Sequence, residues 1–81
     1  MSTIGERIRM LRESTGLGRT LFSRKHGLKE QTLVAVESGR RKPGFETIEK
    51  IALAYPEYCC WLITGKLSSK VIQAKPKKLK D

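Results

Sequence analysis

The chain has 81 residues, the size of one small domain, and its formal charge of +9 favours a polyanionic partner, either nucleic acid or an acidic membrane surface. No apolar run reaches the roughly 18 residues of a membrane span, and the N-terminus lacks the pattern of a signal peptide. The two cysteines are adjacent and there is one histidine, so neither a disulfide framework nor a structural zinc site is expected. We therefore expect a cytoplasmic protein without metal or cofactor, and not a secreted scaffold or sizeable enzyme.

The positive charge is concentrated in two segments. Residues 17–43 contain seven Lys or Arg and two Glu, and residues 66–81 contain six Lys and one Asp. Between these segments, residues 44–65 contain one Lys and three Glu. A polyanion would therefore be attracted to the central and C-terminal segments rather than to the whole molecule.

The first predicted helix begins after Thr3 and ends near Gly16. Thr3 and Glu6 have the spacing of a capping box, which satisfies free N–H groups at a helix start. Gly16 supplies the glycine that commonly follows the last helical residue. The apolar side chains that recur on one face of this helix are Ile4, Ile8 and Leu11.

Two shorter helices are predicted next, and the turn between them contains Gly27. The first would span roughly residues 19–26 and the second roughly residues 30–38. The side chains expected to face the interior are Phe22, His26, Leu28, Leu33 and Val36.

Two more helices are predicted between a basic, glycine-containing loop at residues 39–44 and Gly65. The fourth helix would stop before Pro56, and its apolar stripe consists of Phe45, Ile48, Ile51, Ala52 and Tyr55. The fifth helix is short, and its apolar residues are Tyr58, Trp61 and Leu62. Because the apolar spacing is helical throughout, the sequence predicts an all-α fold, a compact five-helix domain over residues 1–66.

Residues 67–81 are predicted to form a basic tail. The tail has few apolar side chains to offset the cost of ordering, so we expect flexibility beyond about Lys75. Three roles stay open for this segment. It is an inert solubilising tail, a basic arm that adds phosphate contacts, or the location of a short strand at residues 69–73 that pairs across a dimer.

Two helices of about eight residues joined by a glycine-containing turn are typical of a helix-turn-helix. In this motif one helix enters the major groove of DNA, and a small residue lies where the two helices cross. Ser23 is that small residue, and Gly27 makes the turn. The side chains left outward near the third helix are the candidates for base contact: Lys29, Glu30, Gln31, Val34 and Ala35.

The chemistry of these candidates suits base edges. Gln31 can donate and accept together at an adenine, and Glu30 can accept from a cytosine amino group or merely favour the helix start. Lys29 can reach a guanine or a phosphate, and Val34 can contact a thymine methyl group. Each side chain would be an ordinary exposed helix residue in another context, so the prediction depends on the motif.

Several segments carry a more specific resemblance. Residues 36–43 read Val-Glu-Ser-Gly-Arg-Arg-Lys-Pro, and residues 61–65 read Trp-Leu-Ile-Thr-Gly. Together with Ile-Gly-Glu-Arg-Ile at 4–8, Leu-Arg at 11–12 and Gly-Leu at 27–28, they resemble the lambda-repressor/Cro type of helix-turn-helix protein, the XRE family. The resemblance extends over residues 4–65. It implies a five-helix domain that binds operator DNA as a dimer, with the third helix in the major groove.

The resemblance also implies roles for individual residues. The positions that contact the DNA backbone in the family correspond to Arg19, Ser38, Arg40, Arg41 and Lys42. Arg12 and Glu37 correspond to positions at which an ion pair often joins the first helix to the third. The chain departs from the usual family residues at Arg19, Ser23, His26 and Lys29, and Lys29 is a poor N-cap for the third helix.

The sequence therefore predicts a sequence-specific transcriptional regulator that binds double-stranded DNA and is not an enzyme. The favoured interpretation is a Cro-like repressor of a phage or mobile element, which occupies a palindromic operator as a homodimer. Three alternatives stay open. They are an excision factor that bends DNA for recombination, an antitoxin whose main partner is a toxin protein, and a non-specific nucleic-acid binder.

Overall fold

A computed structural model of the chain describes residues 2–66. Over this range it is all-helical, which confirms the predicted fold class. The elements in chain order are α1 (Ile4–Thr15), α2 (Arg19–Lys25), α3 (Glu30–Glu37), α4 (Phe45–Ala54), a 3₁₀ turn (Pro56–Tyr58) and α5 (Cys59–Thr64). None of the helices in this range is long and apolar enough to cross a bilayer. The predicted basic tail, residues 67–81, lies outside the described residues.

The ends of α1 follow from local sequence signals. The Thr3 hydroxyl accepts a hydrogen bond from the Glu6 N–H at 3.1 Å, and the Glu6 carboxylate accepts one from the Thr3 N–H at 2.8 Å. This is the predicted capping box, and its hydrogen bonds lower the pKa of Glu6. The helix ends at Gly16, whose N–H donates to the carbonyl of Glu13.

The core draws apolar side chains from all five helices. Its fully buried members are Ile8, Leu11, Phe22, Leu33, Val36, Ile51 and Leu62. Partly buried side chains surround them, namely Ile4, Leu17, Leu28, Tyr55 and Trp61. Because every helix supplies at least one of the buried side chains, no helix pair buries its apolar face alone, and the five helices depend on one another for stability.

One glycine sets the distance between α1 and α3. Gly5 is buried on α1, and a Cβ atom at this position would collide with the backbone carbonyl of Val36 on α3. The two helices therefore approach each other backbone to backbone, which only a residue without a side chain permits.

Two side chains predicted to be buried are exposed. Phe45 leaves 77% of its surface exposed, because it is the first residue of α4 and the helix starts beyond the edge of the core. Burial on α4 is complete only at Ile51, almost two turns later. Tyr58 is 43% exposed, and it lies in the 3₁₀ turn rather than in α5. It packs edge-on against Trp61, with the ring centroids 6.5 Å apart, so it covers α5 from outside.

Candidate DNA-binding surface

α2 and α3 form the predicted helix-turn-helix. The turn between them passes through Gly27, whose φ of +67° lies in the left-handed region that glycine adopts without strain. The Leu28 N–H donates to the carbonyl of Ser23 at 2.8 Å, which fixes the turn against the end of α2. Ser23 is only 2% exposed, as expected for the small residue at which the two helices pack.

The exposed side of α3 begins with three polar side chains. Lys29, Glu30 and Gln31 are exposed, as the sequence analysis predicted for base-contacting residues. Val34 and Ala35 are partly buried and are therefore less outward than expected. Ala35 is partly covered because the following loop folds back on it: its carbonyl accepts hydrogen bonds from the N–H groups of residues 40 and 41 at 3.0 and 3.2 Å.

The loop after α3 presents basic side chains beside this surface. The Ser38 hydroxyl donates to the carbonyl of Ala35 and accepts a hydrogen bond from Nε of Arg40, both at 3.1 Å, so these two predicted phosphate contacts are held within the loop. Arg41 and Lys42 are exposed, and within residues 2–66 their side chains form no hydrogen bond or ion pair. These two cations are therefore available to an external anion.

A buried carboxylate joins α1, α2 and α3. Both oxygens of Glu37 accept hydrogen bonds from the Arg12 guanidinium, at 2.7 and 3.0 Å, and Oε1 also accepts one from Nε of Arg19 at 3.0 Å. The side chains of Arg12 and Glu37 are 9% and 1% exposed, whereas that of Arg19 is 41% exposed. The hydrogen bonds to Glu37 raise the pKa of Arg12. Arg19, a predicted phosphate contact, is thus anchored by Nε and keeps its two terminal NH₂ groups outside this pair.

Arg7 supports α5, a role that was not predicted from the sequence. The Arg7 side chain is buried, and its guanidinium donates to the carbonyls of Leu62 at 2.8 Å, Ile63 at 3.3 Å and Ser2 at 2.6 Å. The carbonyls at the end of a helix carry partial negative charge, which offsets the buried cation. A signal was present, because Arg7 shares a helix face with Ile4 and the other apolar residues of α1.

Lys50 of α4 supports the helix-turn-helix in a similar way. Its Nζ donates to the carbonyl of Gly27 at 2.8 Å and pairs with Glu46 at 2.9 Å, and the hydrogen bond from Lys50 lowers the pKa of Glu46. α4 therefore holds the turn that precedes α3. This bond was not predicted from the sequence, because no local pattern indicates a bond between residues 23 positions apart.

An aromatic cluster closes the other end of α2. The His26 and Tyr55 side chains share a hydrogen bond, with Nε2 and Oη 2.9 Å apart, and both rings pack against Phe22. Partial burial lowers the pKa of His26, with a smaller contribution from the positive charge of Lys25, and burial raises the pKa of Tyr55. His26 is thus a packing residue, as the sequence suggested, and it is best accommodated in its neutral form.

One further hydrogen bond crosses from α2 to the start of α3. The Thr20 hydroxyl donates to Oε2 of Glu30 at 2.9 Å, and both residues are exposed. Thr20 is not among the residues that the sequence predicts to contact DNA. The bond restrains one of the predicted base-contacting side chains.

One of three comparisons with known proteins found a match, and that match agrees with this geometry. A family model described as a helix-turn-helix domain matches residues 3–55, which extend from the N-cap of α1 through α4. Searches of curated proteins and of solved structures each returned no match. The family model indicates a DNA-binding regulator, and such domains are typically not enzymes. The chain belongs to the helix-turn-helix domain family, in agreement with its resemblance to the lambda-repressor/Cro type.

Proposed function

We propose that this protein is a sequence-specific transcriptional repressor of a phage or mobile element, and that it acts by occupying an operator as a homodimer. The observation that carries the proposal is the composition of one face. Lys29, the N-cap of α3, and Glu30 and Gln31, its first two residues, are exposed on a helix-turn-helix. The loop that follows carries Arg41 and Lys42, whose side chains form no ion pair within residues 2–66. Base-reading side chains and phosphate-binding cations are the two kinds of contact that sequence-specific binding requires.

The roles proposed for the individual side chains follow from their chemistry. The proposed base contacts are Lys29, Glu30, Gln31, Val34 and Ala35, of which the first three are the most exposed. The proposed phosphate contacts are Arg19, Ser38, Arg40, Arg41 and Lys42. Ser38 and Arg40 bond each other within the loop, so we assign them a smaller share of the binding energy.

The size of α3 supports binding as a dimer. A helix of eight residues spans roughly 12 Å, which is enough for only a few base pairs. Helix-turn-helix proteins lengthen their sites by pairing two copies on half-sites about one helical turn of DNA apart. We therefore propose an imperfect palindrome as the operator.

The experiment that tests this proposal is selection of bound sequences from a random DNA pool by the full chain at a fixed salt concentration. We expect enrichment of an imperfect palindrome, with protection of both half-sites in footprinting and a dimer in sedimentation. A reporter promoter that contains the selected site should then be repressed. Absence of any enriched sequence would contradict sequence-specific binding, and a single asymmetric half-site bound by a monomer would contradict the dimer.

The same experiment, with a measurement of DNA bending at the selected site, separates two of the other interpretations. An enriched site at which the bound protein bends the DNA without affecting transcription would favour an excision factor. Equal affinity for all sequences would identify a non-specific binder.

A further inference from the structure

The hydrogen bond between Thr20 and Glu30 has a consequence for sequence recognition. Glu30 is the first residue of α3 and Thr20 is the second residue of α2, so the bond links the two helices at their exposed N-terminal ends. Oε2 of Glu30 accepts the Thr20 proton at 2.9 Å. No hydrogen bond within residues 2–66 engages the other oxygen, Oε1, which therefore stays available to a donor outside the protein.

A fixed carboxylate recognises a base better than a mobile one. An exposed glutamate has three side-chain torsions, and ordering them on binding opposes the contact. A hydroxyl that donates to a carboxylate forms a charge-assisted hydrogen bond, which is stronger than a neutral one. The Thr20 bond thus orders Glu30 before DNA arrives, and binding has less conformational entropy left to lose.

The chemistry of the remaining oxygen determines which base it accepts. An ionised carboxylate only accepts hydrogen bonds, so it repels the acceptor atoms O6 and N7 of guanine and O4 of thymine. Cytosine presents a single amino donor in the major groove, whereas the adenine amino group lies beside the acceptor N7. Cytosine is therefore the base that a restrained Glu30 fits best.

We infer that Thr20 is a positioning residue, which holds Glu30 so that its free oxygen selects a cytosine at one position of each half-site. This inference rests on the proposed function, because it assigns a specificity to the same surface. It adds a residue outside α3 to the determinants of sequence preference.

The experiment compares four single variants and the double variant Thr20→Val/Glu30→Gln with the unmodified chain by site selection and competition binding. Thr20→Val keeps the side-chain shape and removes the hydroxyl, and Thr20→Ser keeps the hydroxyl. Glu30→Gln removes the charge of the reading group, and Glu57→Gln removes an equal charge from the 3₁₀ turn as the matched control. The readout is the ratio of affinities for cytosine and for each other base at one position, with the unfolding midpoint of every variant measured in parallel.

We expect Glu30→Gln to change the cytosine preference on the order of tenfold at one position and to leave the other positions unchanged. Thr20→Val should weaken the same preference about two- to tenfold, the effect of leaving one side chain to be ordered on binding. Thr20→Ser should retain the cytosine preference of the unmodified chain. In a chain that already carries Glu30→Gln, Thr20→Val should cause no further change in that preference.

Two outcomes would overturn the inference, and they are distinguishable. If the unmodified chain selects a defined site but Thr20→Val changes only the unfolding midpoint or weakens all sites equally, Thr20 is merely structural and the proposed function stands. If the unmodified chain selects no site at all, the proposed function fails and the inference fails with it.

Discussion

Glu37 lies between two arginines, and its carboxylate is almost completely removed from solvent. A buried charge is tolerated only when it is paired, so removal of a partner leaves a penalty that no water molecule can relieve. An ion pair on the surface has no such penalty, because solvent screens both charges. Two arginines of α1, Arg12 in the buried pair and Arg9 on the surface, should therefore contribute very differently to stability.

Arg12→Ala should lower the free energy of unfolding far more than Arg9→Ala. Loss of Arg12 leaves Glu37 with Arg19 as its one partner among residues 2–66, and we expect a loss of about 3 kcal/mol, the lower end for a broken buried pair. Arg9 pairs with Glu13 on the surface, where both side chains are 53% exposed, and its loss should remain below about 1 kcal/mol. Urea unfolding measures both values, and equal midpoints for the two variants would contradict the proposed importance of the buried pair.

Gln31→Ala and Arg41→Ala should have different effects on DNA binding, the first on sequence preference and the second on overall affinity. Gln31 is proposed to contact a base, so its loss should cost about 1–3 kcal/mol on the best site and relax preference at one position. Arg41 is proposed to contact a phosphate, so its loss should weaken all sequences alike and reduce the slope of log affinity against log salt by about 1. Competition binding over a set of single-base operator variants tests this difference. If both substitutions change the affinity for every operator variant by the same factor, the placement of α3 in the groove is wrong.

His26 should make stability depend on pH. Burial lowers its pKa below the ordinary value of 6.5, so the unfolded chain takes up a proton more readily than the folded one. The free energy of unfolding therefore has its full value above about pH 6.5 and falls as the pH drops through the pKa of His26 in the folded state. For one proton the fall is no more than about 1.4 kcal/mol per pH unit. Urea midpoints between pH 7.5 and pH 5 should fall in the unmodified chain and remain flatter in His26→Gln. Glu6 and Glu46 also have lowered pKa values, but they titrate below their ordinary 4.5 and so outside this range. Parallel curves for the two proteins would exclude His26 as the source.

At the scale of the helices, α1 and α3 are in contact through their backbones at Gly5. Helix propensity and packing make opposite predictions for Gly5→Ala. Alanine in a helix is favoured over glycine by about 1 kcal/mol, so propensity alone predicts a more stable protein. The added Cβ would collide with the carbonyl of Val36, and a backbone atom cannot rotate away as a side chain can.

We therefore expect Gly5→Ala to destabilise the protein by about 1–3 kcal/mol or more, as in overpacked cores. Gly18→Ala is the matched control, because a Cβ at Gly18 meets no atom within 4 Å and its φ of −74° suits alanine. Gly18 is the N-cap of α2, so the control should lose less than about 1 kcal/mol. Thermal unfolding of both variants shows whether each substitution raises or lowers stability. A stabilised Gly5→Ala protein would show that α1 and α3 can separate without penalty.

The elements that the sequence predicted well are those with local signals. Thr3 and Glu6 start α1 within four residues of chain, and Gly27 marks the turn because a left-handed backbone there needs glycine. Phe45 was assigned incorrectly because periodicity gives the face of a helix but not the point at which the core ends.

The candidate surface was predictable as far as the motif places it. Lys29, Glu30 and Gln31 were identified because α3 leaves them exposed once its apolar side chains face inward. The restraints on that surface were not predictable, because Thr20 and Lys50 reach partners 10 and 23 residues away. Such contacts depend on the packing angle between helices, which no spacing in a single sequence encodes.

On the scale of the whole molecule, charge is divided along the chain. Residues 17–43, which include α2 and α3, carry seven Lys or Arg and two Glu, whereas residues 44–65 carry more Glu than Lys. A molecule with this polarity is steered towards DNA with its basic side first, and the steering weakens as salt screens the field. If the second basic segment, residues 66–81, acts as a basic arm, it adds to the same attraction.

Deletion of residues 74–81 tests whether the tail is a basic arm. The deletion removes four Lys and one Asp, so we expect weaker binding to all DNA sequences alike and no change in site preference. Each lost phosphate contact should reduce the slope of log affinity against log salt by about 0.9, so the plot should become visibly flatter. Replacement of the four lysines by glutamine is the matched control, because it removes the charge and keeps the length. An unchanged affinity and salt slope in both proteins would make the tail inert.

A second deletion, of residues 68–81, tests whether residues 69–73 pair across the dimer. If they do, this deletion should in addition weaken the dimer in sedimentation; if the tail acts through its charge alone, it should match the shorter deletion.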